Sequence, residues 1–288
     1  MNDAVKAMLK RYGEIRGPQD EDNAIKEIIQ SISLLGLFRG KFFDKACFYG
    51  GTALRILYQL DRFSEDMDFC LIEKDLNFSL KPYFGSIYSE LERFGFNANI
   101  EEKKTGIDVT IESAFVKQDT ITGLLVIGRK TNRAQKGQLI KVKIEVDKGN
   151  PEGFIIDKKL IRMPIPFLVT TLTEESLFAG KLHAILARAY ANRVKGRDYY
   201  DFLFYASRQT KINAPYLEAK LRDSGHYNAS KTLERTTLVE LLKKKFATVD
   251  LKKAKEDVMP FIPFEKEEDL SLWSYNLFSA LADELQFL

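Results

Sequence analysis

Histidine, cysteine and tryptophan are nearly absent, with two, two and one of them among 288 residues. So few cysteines and histidines exclude a Cys/His zinc spacing and a dense disulfide framework. Cys47 and Cys70 each fall in an apolar run and read as reduced packing residues. No apolar stretch reaches the roughly 20 residues that a membrane-spanning helix needs. The first eleven residues scatter charges among apolar side chains and hold no continuous apolar core of a signal peptide. A cytoplasmic protein with no membrane partner is therefore expected. Internal repeats and low-complexity segments are also missing. Present instead are 21 Phe and 12 Tyr in a chain that is 45% hydrophobic and 30% charged. That is the composition of a well-packed globular protein, and the length allows two domains.

The net charge of +3 is small but uneven. Residues 181–260 carry seventeen Lys or Arg against nine Asp or Glu, whereas residues 261–288 carry six acids and one Lys. A basic middle suits a nucleic-acid partner. Lys243-Lys244-Lys245 and Lys252-Lys253 are equally what solvated helix faces carry, so charge by itself only tips the balance.

The densest chemistry lies in Tyr49-Gly50-Gly51-Thr52 and, shortly after, Arg62-Phe63-Ser64-Glu65-Asp66-Met67-Asp68-Phe69. The first follows a hydrophobic strand pattern, Ala46-Cys47-Phe48-Tyr49, and precedes a helical one at 53–60. Such a turn lets backbone N–H groups approach phosphate at a helix N-terminus. In a strand, Asp66 and Asp68 point the same way, so their oxygens can converge on one or two divalent cations. Magnesium takes hard oxygen ligands and keeps positions open for water and substrate phosphates. A Gly-Gly alone is most often just a turn, and an Asp-x-Asp alone a solvated pair. Here, however, the acids sit in an apolar run, where adjacent desolvated carboxylates need a cation or a basic partner.

Apolar residues at Ile25, Ile28, Ile29, Ile32 and Leu35 predict an amphipathic helix over 21–37. A second helix is expected over 79–94, with Pro82 in its first turn. Strands are expected at 96–102, 108–115, 122–127 and 139–147, separated by breaks such as Thr105-Gly106 and Lys136-Gly137. Lys141-Val142-Lys143-Ile144-Glu145-Val146-Asp147 alternates strictly and offers a third carboxylate. Glu145, between Ile and Val, is the better candidate, and Asp147 abuts a turn that it can cap. The same strand also reads as an antiparallel one with a wet face. Met163-Pro164-Ile165-Pro166 reads as a crossing between domains, and Thr173 as a helix start with Glu174 and Glu175 in the first turn. The remainder reads as mostly helical, including 215–221, 231–246, 251–258 and 270–287.

A second constellation combines Gly180-Lys181-Leu182-His183-Ala184 with Arg197-Asp198-Tyr199-Tyr200-Asp201. Lys181 and Arg188 share a helical face, and Asp198 and Asp201 stand three apart on the next helix. By itself this reads as a salt-bridged helical hairpin, with His183 packed or hydrogen-bonded. Beside an acidic metal strand, Lys181 and Asp198 can also bind triphosphate and complete a site.

Together, these four ordered motifs resemble the AbiEii-type nucleotidyltransferase family, the toxin halves of type IV toxin–antitoxin and abortive-infection systems. The resemblance spans most of the chain. It implies an α+β protein: a DNA-polymerase-β-like nucleotidyltransferase domain with a mixed sheet, over 1–166, followed by a helical bundle domain over 167–288. It further implies that Gly50, Gly51 and Thr52 hold the triphosphate of an NTP, and that Asp66 and Asp68 bind Mg2+, or Mn2+ in its place. Glu145 matches the third acid. Lys181 neutralises phosphate with Asp198 in support, and Ser64 contacts phosphate or serves as a modification point. The acceptor implied is RNA, in particular the 3′ end of tRNA, and the partner implied is a cognate antitoxin protein. Met67 stands where Leu is usual and Thr52 where Ser also occurs, so no ligand is lost.

The expected activity is two-metal transfer of NMP to an acceptor hydroxyl, which makes the protein an enzyme. Two other readings share the motifs: NMP transfer to a protein hydroxyl, and a noncatalytic nucleotide-dependent binding module.

Overall fold

The computed structural model describes residues 3–13, 15, 17–103, 120–128, 139–188, 194–228 and 230–288. By contacts these divide into two compact units. The larger holds Met1–Gln59, Phe63–Asn150 and Asp157–Thr171, and the smaller holds Leu60–Arg62, Pro151–Ile156 and Leu172–Leu288.

The larger unit is built on a seven-stranded mixed sheet. Its strands are β1 (Ala46–Tyr49), β2 (Asp66–Leu71), β3 (Asn97–Lys103), β4 (Thr120–Gly128), β5 (Leu139–Asp147), β6 (Ile156–Ile161) and β7 (Phe167–Leu172), in the order β3-β4-β5-β2-β1-β7-β6. β2 runs antiparallel to β1 and parallel to β5, while β4 pairs antiparallel with both β3 and β5. β1 pairs in parallel with β7 at Phe48 and Thr171, and the Thr171 hydroxyl donates to the Phe48 carbonyl at 2.6 Å. Among the described residues, this unit also holds the helices α1 (Asp3–Leu9), α2 (Pro18–Arg39), α3 (Gly50–Tyr58) and α4 (Phe84–Arg93). In α2, Pro18 opens the first turn with Asp20 and Glu21, and Ile25, Ile28, Ile29, Ile32 and Leu35 are buried as their spacing predicts. Phe42 anchors the core edge-on against Phe69 and Tyr83, at centroid distances of 4.9 and 5.0 Å.

The smaller unit is mainly helical. It comprises α5 (Glu174–Ala187), α6 (Gly196–Ser207), α7 (Ala214–Asp223), α8 (Arg235–Thr248), α9 (Leu251–Val258) and α10 (Tyr275–Asp283). Thr173 caps α5 by accepting the Ser176 amide, and Asn213 caps α7 by accepting that of Tyr216. α5 packs on α6 and α7, α6 on α9, and α8 on α10. Tyr199, Phe202, Phe246 and Phe278 fill the interior between α6, α8 and α10. Among the described residues, no helix is long and apolar enough to cross a membrane.

An α+β class, with a mixed sheet followed by a helical stretch, is thus the architecture found. Three local expectations change. Met163-Pro164-Ile165-Pro166, read as a crossing between domains, joins β6 to β7. β6 escapes a search for apolar runs because its sequence, Ile-Asp-Lys-Lys-Leu-Ile, buries only its last residue, at the sheet edge. The helix expected over 270–287 is broken into a 3-10 turn, Glu268–Leu272, and α10, because Ser274 starts a new helix by accepting the Leu277 amide at 3.3 Å. The helix expected over 79–94 begins as a 3-10 turn at Lys81–Tyr83 around Pro82. The strand expected at 108–115 and the breaks at Thr105-Gly106 and Lys136-Gly137 lie outside the described residues.

Gly196 lets α6 approach α9 closely, since a Cβ there would run into the Ala254 carbonyl of α9. Gly196→Ala is expected to lower unfolding free energy by about 1–3 kcal/mol, the cost of overpacking a filled interface, read as a lower urea midpoint with an unchanged m-value.

Candidate functional site

The parallel register of β2 and β5 sets Asp66 opposite Lys143 and Asp68 opposite Glu145. Alternation along both strands puts these four side chains on one half-buried face, while Met67, Phe69, Val142, Ile144 and Val146 are fully buried on the other. Lys143 forms an ion pair with Glu145. Burial pulls the Lys143 pKa down, but the hydrogen bond and charge of Glu145, with the charges of Asp66 and Asp68, hold it above the ordinary lysine value. Asp147, the alternative third acid, lies opposite Cys70 and accepts the Gly149 amide at 3.0 Å, capping the turn after β5.

The glycine motif forms the first turn of α3, with Gly50 at φ +79°. A Cβ at Gly50 would strike the Asp68 carboxylate, so only glycine satisfies both the backbone angle and the space. The α3 N-terminus therefore lies directly against Asp68. Its unpaired amides and dipole favour negative charge there. Thr52 is fully buried and donates its hydroxyl hydrogen to the Asp66 carbonyl, tying α3 to the head of β2. Ser64, half-buried, stands two residues before the strand. Its carbonyl and that of Glu65 both accept from the buried Gln30 amide nitrogen at 3.0 Å. Lys26 adds an ion pair to Glu65 at 3.0 Å.

In the helical unit, the Lys181 ammonium is 2.7 Å from Asp198 and 2.8 Å from Asp201. Arg188 pairs with the second oxygen of Asp198. Arg62 grips Asp201 with two hydrogen bonds of 2.6 Å, and both side chains are buried. Burial pushes the Asp198 carboxyl up, yet the Lys181 and Arg188 charges outweigh it and hold the pKa well below the usual carboxylate range. His183 Nε2 lies 2.9 Å from the Ser224 hydroxyl. Burial, with the nearby charges of Lys220, His226 and Arg188, pushes its pKa down to about 3, so the ring is neutral at pH 7.

Of the residues singled out in the sequence, Gly50, Thr52, Asp66, Asp68 and Glu145 come together in the larger unit, and Lys181 and Asp198 in the smaller. Gln30, Arg62 and Lys143 were missed as supports. A fully buried Gln within an isoleucine-rich face and an Arg inside the acidic motif were their available signals. Among the described residues, no three His, Cys, Asp or Glu side chains are gathered in position to hold a metal ion. The donor set nonetheless suits one in kind: Asp66, Asp68 and Glu145 supply hard oxygens on one face, where the Lys143 ammonium already stands in as a cation.

The family model described as the nucleotidyl transferase AbiEii toxin of type IV toxin–antitoxin systems matches residues 33–273. The chain belongs to the AbiEii family. As a member it is a nucleotidyltransferase, and every site residue above except Gln30 and Lys26 falls within the matched span. Two solved Helicobacter pylori structures are similar to this AbiEii chain. JHP933 is 19% identical, with a TM-score of 0.49 and coverage of 91% of this chain and 89% of that one. A candidate nucleotidyltransferase is also 19% identical, with a TM-score of 0.44 and coverage of 88% and 91%. No curated protein matches.

Arg62→Met leaves the buried Asp201 with one cation fewer and is expected to cost about 3–5 kcal/mol of stability, measured by urea unfolding at pH 7. For His183, the unfolded ring takes up a proton near pH 6.5 and the folded ring only near 3. The unfolded state therefore binds more protons between these values, and stability falls as pH drops through that window. His183→Gln is expected to flatten the acid limb by up to about 1.4 kcal/mol per pH unit, read from unfolding curves at pH 7, 5.5 and 4.5.

Proposed function

We propose that this AbiEii chain transfers a nucleoside monophosphate from an NTP to the 3′-terminal hydroxyl of tRNA, and that this is its toxic act. The observation that carries the reading is the single face shared by Asp66, Asp68 and Glu145 beside the glycine opening of α3. The acceptor oxygen forms a bond to the α-phosphorus as the bond between the α-phosphorus and its bridging oxygen breaks. Pyrophosphate leaves with that electron pair, and the acceptor proton passes to a carboxylate, for which Glu145 is the candidate.

Asp66, Asp68 and Glu145 would hold Mg2+ or Mn2+. When bound, the metal lowers the pKa of the attacking hydroxyl and offsets charge on the leaving phosphates. The amides of Gly50, Gly51 and Thr52 receive the triphosphate, with Ser64 beside it. The buried Thr52 hydroxyl serves to fix α3 against β2 instead of binding phosphate. Lys181 is assigned to phosphate charge, and Asp198 positions its ammonium. The surplus of eight positive charges over residues 181–260 supports an RNA acceptor. A nucleotidyltransferase domain over 1–166, a helical domain over 167–288, a cytoplasmic location and a cognate antitoxin complete the reading.

Purified protein incubated with each labelled NTP, magnesium and total tRNA is expected to label tRNA, with Asp66→Asn reducing incorporation at least ~100-fold. Label removed by protease but not by nuclease would move the acceptor to protein. Equal incorporation by both forms would remove Asp66 from the reaction.

A further inference from the structure

Lys143 is the only basic residue in the β2 and β5 register that stands opposite the acidic pair, and its partner is the third acid of the same face. Lys143 and Glu145 are two apart on β5, so both project to the side that carries Asp66 and Asp68. Their side chains are 34% and 24% exposed, too sheltered for water to screen the pair fully. Lys143 thus takes away one unit of the negative charge that Asp66, Asp68 and Glu145 bring to this face. An ammonium is a compact point charge on a flexible four-carbon stem, able to leave one partner for another without moving the backbone.

We propose that Lys143 is a built-in counter-ion of the acidic face, holding its carboxylates together before a divalent cation arrives and being displaced from them when it binds. The inference rests on the reading of Asp66, Asp68 and Glu145 as metal ligands. Cation binding is then an exchange, and its strength is the difference between what the metal gains and what the ammonium gives up. Lys143 thereby weakens metal affinity while stabilising the metal-free protein. Without it, the free protein would hold these carboxylates on one half-buried face with the Lys143 contribution to offsetting their repulsion removed.

The test is calorimetric titration of Mn2+, without nucleotide and at fixed pH, into the full chain and into Lys143→Met, Lys143→Arg and Asp66→Asn, each checked for native circular dichroism. Lys143→Met is expected to bind Mn2+ roughly tenfold more tightly. Its metal-free melting temperature should be lower, and the increase on adding Mn2+ larger, than in the parent. Lys143→Arg, which keeps the charge, should bind as the parent does and keeps the test usable if the Met variant fails to fold. If Asp66→Asn abolishes binding while Lys143→Met binds no more tightly than the parent, the counter-ion role is overturned and the metal site stands. A tenfold gain in Lys143→Arg as well would trace the effect to shape instead of charge, which also overturns it. Absence of Mn2+ binding in both the parent and Lys143→Met would remove the metal site and the counter-ion together.

Discussion

The parallel pairing of β2 with β5 is the constraint on which the larger unit and its acidic face depend. Met67, Phe69, Val142, Ile144 and Val146 are all fully buried on one side of the pair. At about 1.5–3 kcal/mol for each such side chain, slipping the register by one residue would expose apolar surface worth on the order of 10 kcal/mol. That is as much as the whole stability of many domains. Asp66, Asp68 and Glu145 are therefore held on the opposite side by the packing of their neighbours, whatever their mutual repulsion. Gly50 then brings the positive end of α3 to Asp68, and Thr52 fastens that helix to the backbone of Asp66. Hydrophobic burial enforces an electrostatic arrangement that charges alone would not adopt.

The acids of the two units differ in how they are balanced. On the sheet face, the Lys143 ammonium pairs with Glu145 beside Asp66 and Asp68. In the helical unit, Asp198 and Asp201 meet three cations: Lys181, Arg188 and Arg62. The first set is half-open to solvent, which suits a ligand that brings charge with it. The second ties buried carboxylates into charge-assisted hydrogen bonds, which suits holding a side chain in one place. Asp201 in particular is gripped by two cations and fully buried. It acts as a post for Lys181 and Arg62.

Much of this was legible in the sequence where a periodicity or an uncommon combination carried it. The isoleucines of α2, the four residues of β1, the Asp66 and Asp68 alternation and the strict pattern of β5 all gave the elements now seen. Asp147 falls where its turn-capping role places it, and His183 is hydrogen-bonded. Edge strand β6 was hidden because a strand paired at the sheet margin can carry Asp and Lys where a central strand carries Val and Ile. Ser274 ended one expected helix and began another, a local signal masked by the apolar run around it. Arg62 was invisible as a partner, because its separation of 139 residues from Asp201 leaves no pattern to read, and Lys143 was passed over because an alternating strand with a wet face carries such a residue in any case. Long-range ion pairing is set by the folded chain, not by spacing.

The two cysteines stand directly opposite each other in the antiparallel register of β1 and β2, both fully buried thiols outside any disulfide. Cys70 lies two residues beyond Asp68 on the same strand, and Cys47 three before Gly50 on the strand that feeds α3. A thiol reagent in solution can reach neither while this part of the sheet stays covered. The chain thus carries its own clock for the opening of the scaffold around the acidic face: the rate at which Cys47 and Cys70 become alkylated measures how often these thiols are uncovered, and any ligand that steadies the face slows it.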